Sequence, residues 1–448
     1  MLFVVVAAAA LVPFVAPYDV ASVWGDVSRW TDLPRNAPPD WIDAFSEQKF
    51  ARTIIVDWNE FKGGASNTTE DFKIIVTRAR WKFEYDTFPP DMRVYFRANW
   101  SSFKPLITIT WERPDGEKIT MFSGFPTRQA PLMDTFDVPA DTVEGARAGL
   151  EGRLREWAAG FNATDVAVVH PHVTLYAETG PDMLSPARAS VLHGPYALTV
   201  EALAFDANDT LEARFVSYGG VYGLAGTDSL RRDHLVGLLW GAPVALAFGA
   251  VAAVLTVMAQ VILGALGAYY GGRFDEVIQR ATDFVIIIPV LPILILIGFL
   301  YRPDLVRILL IIVAFNVVGG TTKVIRSIAL QVKEESYIEA ARAYGASRAR
   351  ILFRYIIPRT MPYTFALMSL SVPAFIFLEA SLSFLGVGDP VLPTWGSIMG
   401  DASRGGAIYN GLWWWVALPA SGIVFITVAF AFLGYAFDKV LNPRLREE

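Results

Sequence analysis

The sequence predicts a mainly α-helical, polytopic membrane protein of about six transmembrane helices, with a mainly β domain inserted after the first helix. Of its 448 residues, 53% are hydrophobic, and the mean hydropathy is +0.38, which excludes an ordinary soluble domain. Residues 17–232 hold 30 acidic and 22 basic side chains, whereas the remainder holds 14 and 16. An acidic, polar block is therefore joined to an apolar one, and we expect the two to lie in different solvents.

Long runs without Asp, Glu, Lys or Arg mark the predicted spans. A spanning helix needs roughly 20 apolar residues, and five runs approach or exceed this length: 234–272, 284–301, 308–322, 360–378 and 405–437. The short third run is expected to extend toward Asp304 and Arg326. Residues 1–17 are also apolar but lack the basic flank of a signal peptide. We interpret them as a sixth span whose start is missing through a misplaced initiation codon, with a cleaved signal peptide as the alternative.

Basic residues in the short loops set the predicted orientation. Segment 323–359 carries eight Lys and Arg residues, whereas 379–404 carries only Arg404. Because basic loops stay in the cytoplasm, segment 323–359 and the C-terminus are predicted to be cytoplasmic. Residues 18–232 then lie outside a cell membrane that the chain crosses several times. The predicted organisation is a first helix over 1–17, an insert over 18–224, a transmembrane domain over 225–441 and a tail over 442–448.

Four acceptor triplets for N-glycosylation fall inside the acidic block and none falls outside it. They begin at Asn67, Asn99, Asn162 and Asn208. The triplets could occur by chance or could be glycosylated, and both interpretations remain open. Glycosylation would require the acidic block to be extracellular.

The acidic block has the pattern of β structure. Residues 81–86 alternate aromatic with charged side chains, as a half-buried strand does. Residues 107–123 place a Pro-Asp-Gly turn between two alternating runs, which predicts a hairpin. One amphipathic helix is expected from Asp141, with an apolar face that comprises Val143, Ala146, Leu150, Leu154 and Trp157.

The block shows no pattern typical of catalysis or of a metal site. His170 and His172 would face the same way on a strand, as two metal ligands must, but Pro171 disfavours a central strand. We therefore interpret them as exposed structural histidines. The chain contains no cysteine, which excludes disulfides and thiol chemistry. The sequence predicts no enzyme activity and no metal site in this chain.

Segment 334–358 is a charged stretch between two apolar runs, and it is the main candidate for a functional segment. Its first part, around Tyr337, has the composition of a good helix, and Gly345 follows where a left-handed residue ends many helices. Ser347 is placed to cap a second helix. The result is a helix, a tight bend and a second helix that leads back toward the membrane. A basic loop lying on anionic lipid is the alternative interpretation.

The segment resembles the cytoplasmic coupling motif of ABC importer permeases. In that motif Glu-Ala-Ala is followed by three residues, a glycine, nine residues and a hydrophobic-x-hydrophobic-Pro ending. The matching residues here are Glu339, Ala340, Ala341, Gly345, Tyr355, Ile357 and Pro358. Tyr355 stands where the family usually has isoleucine.

Three further stretches resemble the C-type subunit of dipeptide, oligopeptide and nickel permeases. They are GTDSLRRDHLVGLLWGAPVAL from Gly226, EASLSFLGVGDPVLPTWGSIM from Glu379 and LNPRLRE from Leu441. The resemblance covers 225–446 and the first span and implies a type I ABC importer permease fold. The block 50–220 falls outside it.

The resemblance implies a permease that imports peptides or related small solutes such as nickel complexes. It also implies three kinds of protein partner: a second permease subunit that forms a heterodimer with this chain, two ATP-binding subunits and an external solute-binding protein. Membrane lipid is a further expected partner, and nucleic acid is not. The segment from Tyr337 to Gly345 would sit in a groove of an ATPase. No GxxxxGK[S/T] phosphate loop occurs in the chain, so ATP and magnesium are expected on the partners and no cofactor on this chain.

Other residues near the predicted membrane faces carry weaker signals. Asp283 and Glu379 are assigned structural or interfacial roles, with pathway lining as the alternative. Trp413, Trp414 and Trp415 are interpreted as an interfacial aromatic belt rather than a surface that stacks on substrate.

Two other classes of protein remain as alternatives. One is an ion-coupled secondary transporter, for which Pro289 and Pro292 would break the third span. The other is a membrane-anchored sensor whose β domain binds an extracellular ligand.

Overall fold

The computed structural model describes residues 2–68, 72–130, 132–138, 144–163, 169–206, 208–301, 303–389 and 391–441. The chain divides into two compact units. The β unit comprises Val27–Asp233, and the helical unit comprises Met1–Asp26 with His234–Glu448. The predicted tail, 442–448, lies outside the described residues.

Two antiparallel sheets form the β unit. A four-stranded sheet has the order β1-β9-β4-β7, and a five-stranded sheet has the order β2-β3-β8-β5-β6. The strands are Ile54–Val56 (β1), Lys62–Thr68 (β2), Lys73–Phe83 (β3), Asp91–Asn99 (β4), Leu106–Glu112 (β5), Lys118–Gly124 (β6), Asp134–Val138 (β7), Gly194–Ala204 (β8) and Thr210–Tyr218 (β9). Side chains from both sheets share one apolar core.

The strand and hairpin predictions for this unit are confirmed. Residues 81–85 alternate in burial as predicted, and strand β3 ends at Phe83. Strands β5 and β6 pair around the Pro-Asp-Gly turn. The predicted helix is α3, Glu144–Ala159, and Leu150 and Leu154 are buried on it. Val143 and the side chain of Ala146 lie outside the described residues.

Arg113, just after β5, is a buried charge inside the core. Its guanidinium donates to the backbone carbonyls of Thr174, Leu175 and Ala177 and pairs with Asp115 at 2.8 Å. A buried cation is tolerated when its donors are matched in this way. Arg113 thereby ties the β5–β6 hairpin to the short helix α4, Pro171–Thr174.

His170 and His172 lie at helix α4 rather than on a strand, so the strand argument for paired ligands does not apply. Both are half-buried, and the prediction that they are exposed is wrong. Burial lowers the pKa of His172 to about 4, and the neighbouring His170 adds to the effect. Within the described residues, no group of three or more potential metal-binding side chains occurs.

The helical unit contains twelve α-helical segments among the described residues, and one of its long helices carries a π turn. They are Leu2–Val15 (α1), Tyr18–Ser22 (α2), His234–Tyr270 (α5), Gly272–Ile287 (α6), Val290–Tyr301 (α7), Leu305–Phe315 (α8), Gly320–Lys333 (α9), Ser336–Ala343 (α10), Arg348–Ile351 (α11), Ile357–Phe384 (α12), Trp395–Arg404 (α13) and Trp414–Leu441 (α14), of which α11 and α12 are one continuous helix.

Three helices are long and apolar enough to cross a membrane: His234–Tyr270, Arg348–Phe384 and Trp414–Phe437. Two bent helix pairs raise the number to five if each pair is one span. Helices α6 and α7 meet at 75°, and α8 and α9 meet at 46°. The uncharged runs 284–301 and 308–322 are therefore not straight helices. Helix α1 has 14 residues, about 21 Å at 1.5 Å per residue, which is shorter than a bilayer core of about 30 Å.

Helix α13 lies directly on the backbone of α12. Gly396 and Gly400 are four residues apart and so share one face of α13. A Cβ at Gly396 would stand 2.3 Å from the carbonyl oxygen of Ala380, and one at Gly400 would stand 2.5 Å from that of Phe384. Small residues at this spacing allow two helices to approach backbone to backbone.

Candidate functional site

Helix α10 ends in the bend that the sequence predicts. Gly345 has φ +78°, a left-handed conformation that favours glycine. Its N–H donates to the carbonyl of Arg342 at 2.9 Å, and the N–H of Ala346 donates to that of Ala341 at 3.0 Å. These two bonds form a Schellman motif, which satisfies carbonyls at the end of the helix.

The second helix starts at the predicted cap. The N–H of Arg350 donates to Ser347 Oγ at 3.3 Å, and helix α11 begins at Arg348. A single π turn over Leu352–Ile356 follows, before the helix continues as α12. Pro358 lies in the first turn of α12 and has no N–H for the carbonyl of Arg354. The missing bond gives a physical reason for the wider turn at this place.

Buried side chains attach this helix–turn–helix to the rest of the helical unit. Ile338 on α10 is fully buried, as are Ile351 and Ile356 on the second helix. They share an apolar cluster with residues of α5, such as Val261, and of α9, such as Ile325. Helix α10 is therefore packed against α5, α9 and the second helix through one close-packed cluster.

The opposite face of α10 is open to solvent. Tyr337, Glu339 and Ala340 are exposed, and Tyr344 at the end of the helix is 92% exposed. Ala341 is half-buried. Helix α10 therefore has one anchored face and one exposed face, and small alanines lie on the exposed face.

The coupling residues predicted from sequence do not all share this face. Gly345 forms the bend, whereas Ile357 and Pro358 lie on the second helix, half-buried and exposed respectively. Arg342 was not among the predicted coupling residues, and its guanidinium lies over the ring of Tyr269 at 6.0 Å. This contact joins α10 to the end of α5 and depends on residues 73 positions apart.

Ion pairs connect the bent helices near this segment. Arg326 donates to Asp275 through Nε at 2.7 Å and Nη2 at 2.5 Å, which joins α9 to α6. Asp283, predicted to be structural or interfacial, pairs with Lys323 between the same helices. Both members of that pair are almost half exposed.

Glu379 lies on α12 and is only 3% exposed. Its carboxylate accepts a hydrogen bond from Ser383 Oγ at 2.6 Å, and the Thr394 side chain also bonds to it. A buried polar group needs such partners. Glu379 is therefore tied between α12 and the cap of α13.

The tryptophan prediction is partly wrong. Trp413 is 44% exposed, as a belt residue should be. Trp414 and Trp415 are 4% and 1% exposed and pack inside the helical unit. Their burial leaves neither a lipid-facing nor a substrate-stacking surface on them.

The predicted glycosylation sites meet the requirement of exposure as far as the structure describes them. Asn99, Asn162 and Asn208 are exposed, and the side chain of Asn67 lies outside the described residues. Their use remains a prediction.

Three helices, or up to five if each bent pair is one span, are long and apolar enough to cross a membrane, and they carry an anchored helix–turn–helix with one exposed face. These features define the class as a polytopic membrane protein. Residues 260–447 match the family described as "Binding-protein-dependent transport system inner membrane component". The dipeptide transport system permease protein of Bacillus subtilis (strain 168) is 36% identical over 224 residues, which are 49% of this chain and 68% of the relative. The oligopeptide transport system permease protein of the same organism is 34% identical over 225 residues, covering 50% and 72%.

A glutathione transport system permease protein of Pectobacterium atrosepticum is 31% identical over 223 residues, covering 49% of this chain and 72% of the relative. The chain belongs to the ABC importer permeases of this family and is an inner-membrane protein. Neither the secondary transporter nor the sensor is favoured by these similarities.

Proposed function

We propose that the chain is the permease subunit of an ATP-driven importer for peptides or related small solutes such as nickel complexes. One observation carries the proposal: α10 has a free face that includes Glu339 and a buried face anchored by Ile338. The relatives are named for dipeptides, oligopeptides and glutathione. All three solute classes are peptides, which supports a peptide substrate here.

The proposed complex contains this chain, a second and similar permease subunit, two ATP-binding subunits and an extracytoplasmic solute-binding protein. ATP and magnesium bind to the ATP-binding subunits. In the proposed topology, residues 323–359 and the C-terminus face the cytoplasm, and residues 18–232 lie outside. The basic loops support this orientation. In this proposal the β unit either provides a docking surface for the solute-binding protein or shields that protein.

In the proposed mechanism, Tyr337, Glu339 and Ala340 lie in a groove of one ATP-binding subunit. When the two ATP-binding subunits close, they push α10, and the motion passes through Ile338 into the cluster on α5 and α9. The Schellman bend at Gly345 and the cap at Ser347 keep α10 at a fixed angle to α12. The spans then rotate as rigid bodies between two states that open to opposite sides.

Reversing the charge of Glu339 tests this proposal. In the complete complex reconstituted in vesicles, Glu339→Arg is expected to lower ATP-dependent peptide uptake by about tenfold or more, because mismatched charge at a docked surface costs several kcal/mol. Membrane insertion should not change, since Glu339 is exposed. Uptake and ATP hydrolysis are measured together.

Glu276→Arg is the matched control, because Glu276 is also exposed on the helical unit but lies on α6. It should transport like the unsubstituted complex. Equal uptake by the Glu339→Arg variant and this control would remove the coupling role of α10.

A further inference from the structure

A mainly apolar cavity lies within the β unit, between α3 and the strands β6 and β7. It has a volume of about 460 Å³, which lies within the range of small-ligand sites. Its apolar part is formed by three aromatic side chains, Phe96 on β4, Phe122 on β6 and Phe136 on β7. The ring centroids of Phe122 and Phe136 are 5.5 Å apart. A cavity bordered by aromatic rings suits a large apolar side chain.

Arg153 of α3 places a cationic group in the wall of this cavity. Its Nε donates to the carbonyl of Thr120 at 2.8 Å and its Nη2 to that of Met121 at 2.6 Å, which holds the guanidinium against β6. Nη1 is 3.4 Å from where a Cβ of Gly149 would lie, and both residues line the cavity. Among the described residues Nη1 has no hydrogen-bond partner, and this atom is open to solvent. A fixed guanidinium with a free N–H group is suited to bind a carboxylate.

Hydrogen bonds to Asp134 hold the loop at the mouth of the cavity. This first residue of β7 accepts from the N–H of Thr127 at 2.8 Å and from that of Arg128 at 3.1 Å, and also from the Thr127 hydroxyl. The loop that follows β6 is thereby tied to the start of β7. Phe125 begins this loop, is 59% exposed and lines the cavity. A mouth that is already ordered costs less conformational entropy when a ligand binds.

Two further features favour a peptide over other apolar carboxylates. A second, shallower hollow of about 550 Å³ adjoins the cavity at Phe125 and is also lined by Phe103, Lys104 and Phe205. A ligand that occupies both hollows carries at least two apolar groups. In addition, β7 is the last strand of its sheet among the described residues, and it lines the cavity. The outer edge of such a strand has backbone N–H and C=O groups that pair with an extended peptide.

We propose that this cavity binds the C-terminal residue of a short peptide whose last side chain is large and apolar. The peptide carboxylate accepts a hydrogen bond from Arg153 Nη1, and the last side chain packs against Phe122 and Phe136. The peptide backbone pairs with the outer edge of β7. The β unit therefore binds the transported peptide itself, in addition to the role proposed for it above. The inference rests on the proposed import of peptides and states which end of the peptide is recognised.

Filling the cavity from Gly149 tests the site. The purified chain in detergent, without a solute-binding protein, is titrated calorimetrically with the tripeptide Ala-Ala-Phe as the free acid. Gly149 lines the cavity inside α3, where leucine is a better helix former than glycine, so the Gly149→Leu variant should keep its fold. It should bind the peptide about tenfold more weakly, because the apolar side chain of the peptide loses its buried place. Gly152→Leu, the matched control, changes an exposed glycine of the same helix with open space around it and should bind normally.

A second measurement tests the contact with the carboxylate. The C-terminal amide of Ala-Ala-Phe should bind the unsubstituted chain about tenfold more weakly than the free acid, as loss of a hydrogen bond between charged groups predicts. In the Arg153→Gln variant, acid and amide should bind equally. Arg153 also holds β6, so thermal unfolding checks the fold of this variant. If the variant does not fold, the acid-to-amide ratio of the unsubstituted chain and the two glycine variants still decide.

Failure of the site and failure of the proposed function are distinguishable. The site is wrong if the unsubstituted chain does not bind Ala-Ala-Phe, if the two glycine variants bind it equally, or if acid and amide bind the unsubstituted chain equally. Tighter binding of decanoic acid than of the peptide also contradicts it. If the complete complex with ATP imports peptides in any of these cases, the import function stands. If the chain binds the peptide as stated but the complete complex with ATP imports none, the proposed function fails and the binding site stands.

Discussion

Peptide uptake is expected to fall by about tenfold or more when Gly345 is replaced by proline. The bend needs φ near +78°, whereas proline fixes φ near −65°. Proline also removes the N–H that donates to Arg342. Strain of 1–3 kcal/mol at such a position is enough to turn α10 away from its partner, since about 1.4 kcal/mol is a factor of ten. ATP-driven uptake by the complete complex measures the effect.

Gly411→Pro is the matched control. Gly411 has φ +73°, has open space where a Cβ would lie, and sits between α13 and α14, away from the coupling segment. We expect both variants to insert into the membrane, and only Gly345→Pro to lose uptake. If uptake is unimpaired in the Gly345→Pro variant, the angle of α10 does not matter for transport.

The second large effect is expected on stability, from Gly396→Leu. A side chain at Gly396 meets the carbonyl oxygen and Cα of Ala380, at 2.3 Å and 2.6 Å from the Cβ position. Backbone inside α12, even near its C-terminal end, cannot move aside as a flexible side chain does. The cost should be about 3 kcal/mol or more, at the upper end for overpacking. Separation of α13 from α12 would also expose Glu379. Thermal unfolding of the purified chain in detergent measures the loss.

Ser403→Leu separates this effect from simple enlargement. Ser403 is exposed on the same helix, and we expect its variant to unfold within a few degrees of the unsubstituted chain. If Gly396→Leu behaves like Ser403→Leu, the helices do not pack as closely as described.

Local chemistry was sufficient to predict the coupling segment. Gly345 could be predicted to end a helix because glycine adopts positive φ at little cost. Ser347 could be predicted to cap the next helix because its hydroxyl accepts a hydrogen bond from a nearby N–H. Both features involve only residues within a few positions of each other. The strand alternation at Trp81 and Phe83 was readable for the same reason.

Features that depend on distant partners were not predicted. Arg113 bonds carbonyls more than 60 positions away, and nothing near it in sequence identifies them. Trp414 and Trp415 are buried by tertiary packing, which an aromatic run alone does not reveal. The bend between α6 and α7 was predicted only within the secondary-transporter alternative, from Pro289 and Pro292. The bend between α8 and α9 was not predicted, and Gly319 with Gly320 was the available signal.

Cross-linking from α10 tests the central claim most directly. With Ala340→Cys as the only thiol of the chain, a short thiol-reactive cross-linker is applied to the complete complex in membranes, and the adduct is identified by mass spectrometry. We predict an adduct with an ATP-binding subunit whose yield changes when ATP is added. A thiol at Ile408, which is 71% exposed between α13 and α14, should give no such adduct. Capture of lipid alone from Ala340→Cys, or equal capture of the ATP-binding subunit from both positions, would contradict the account.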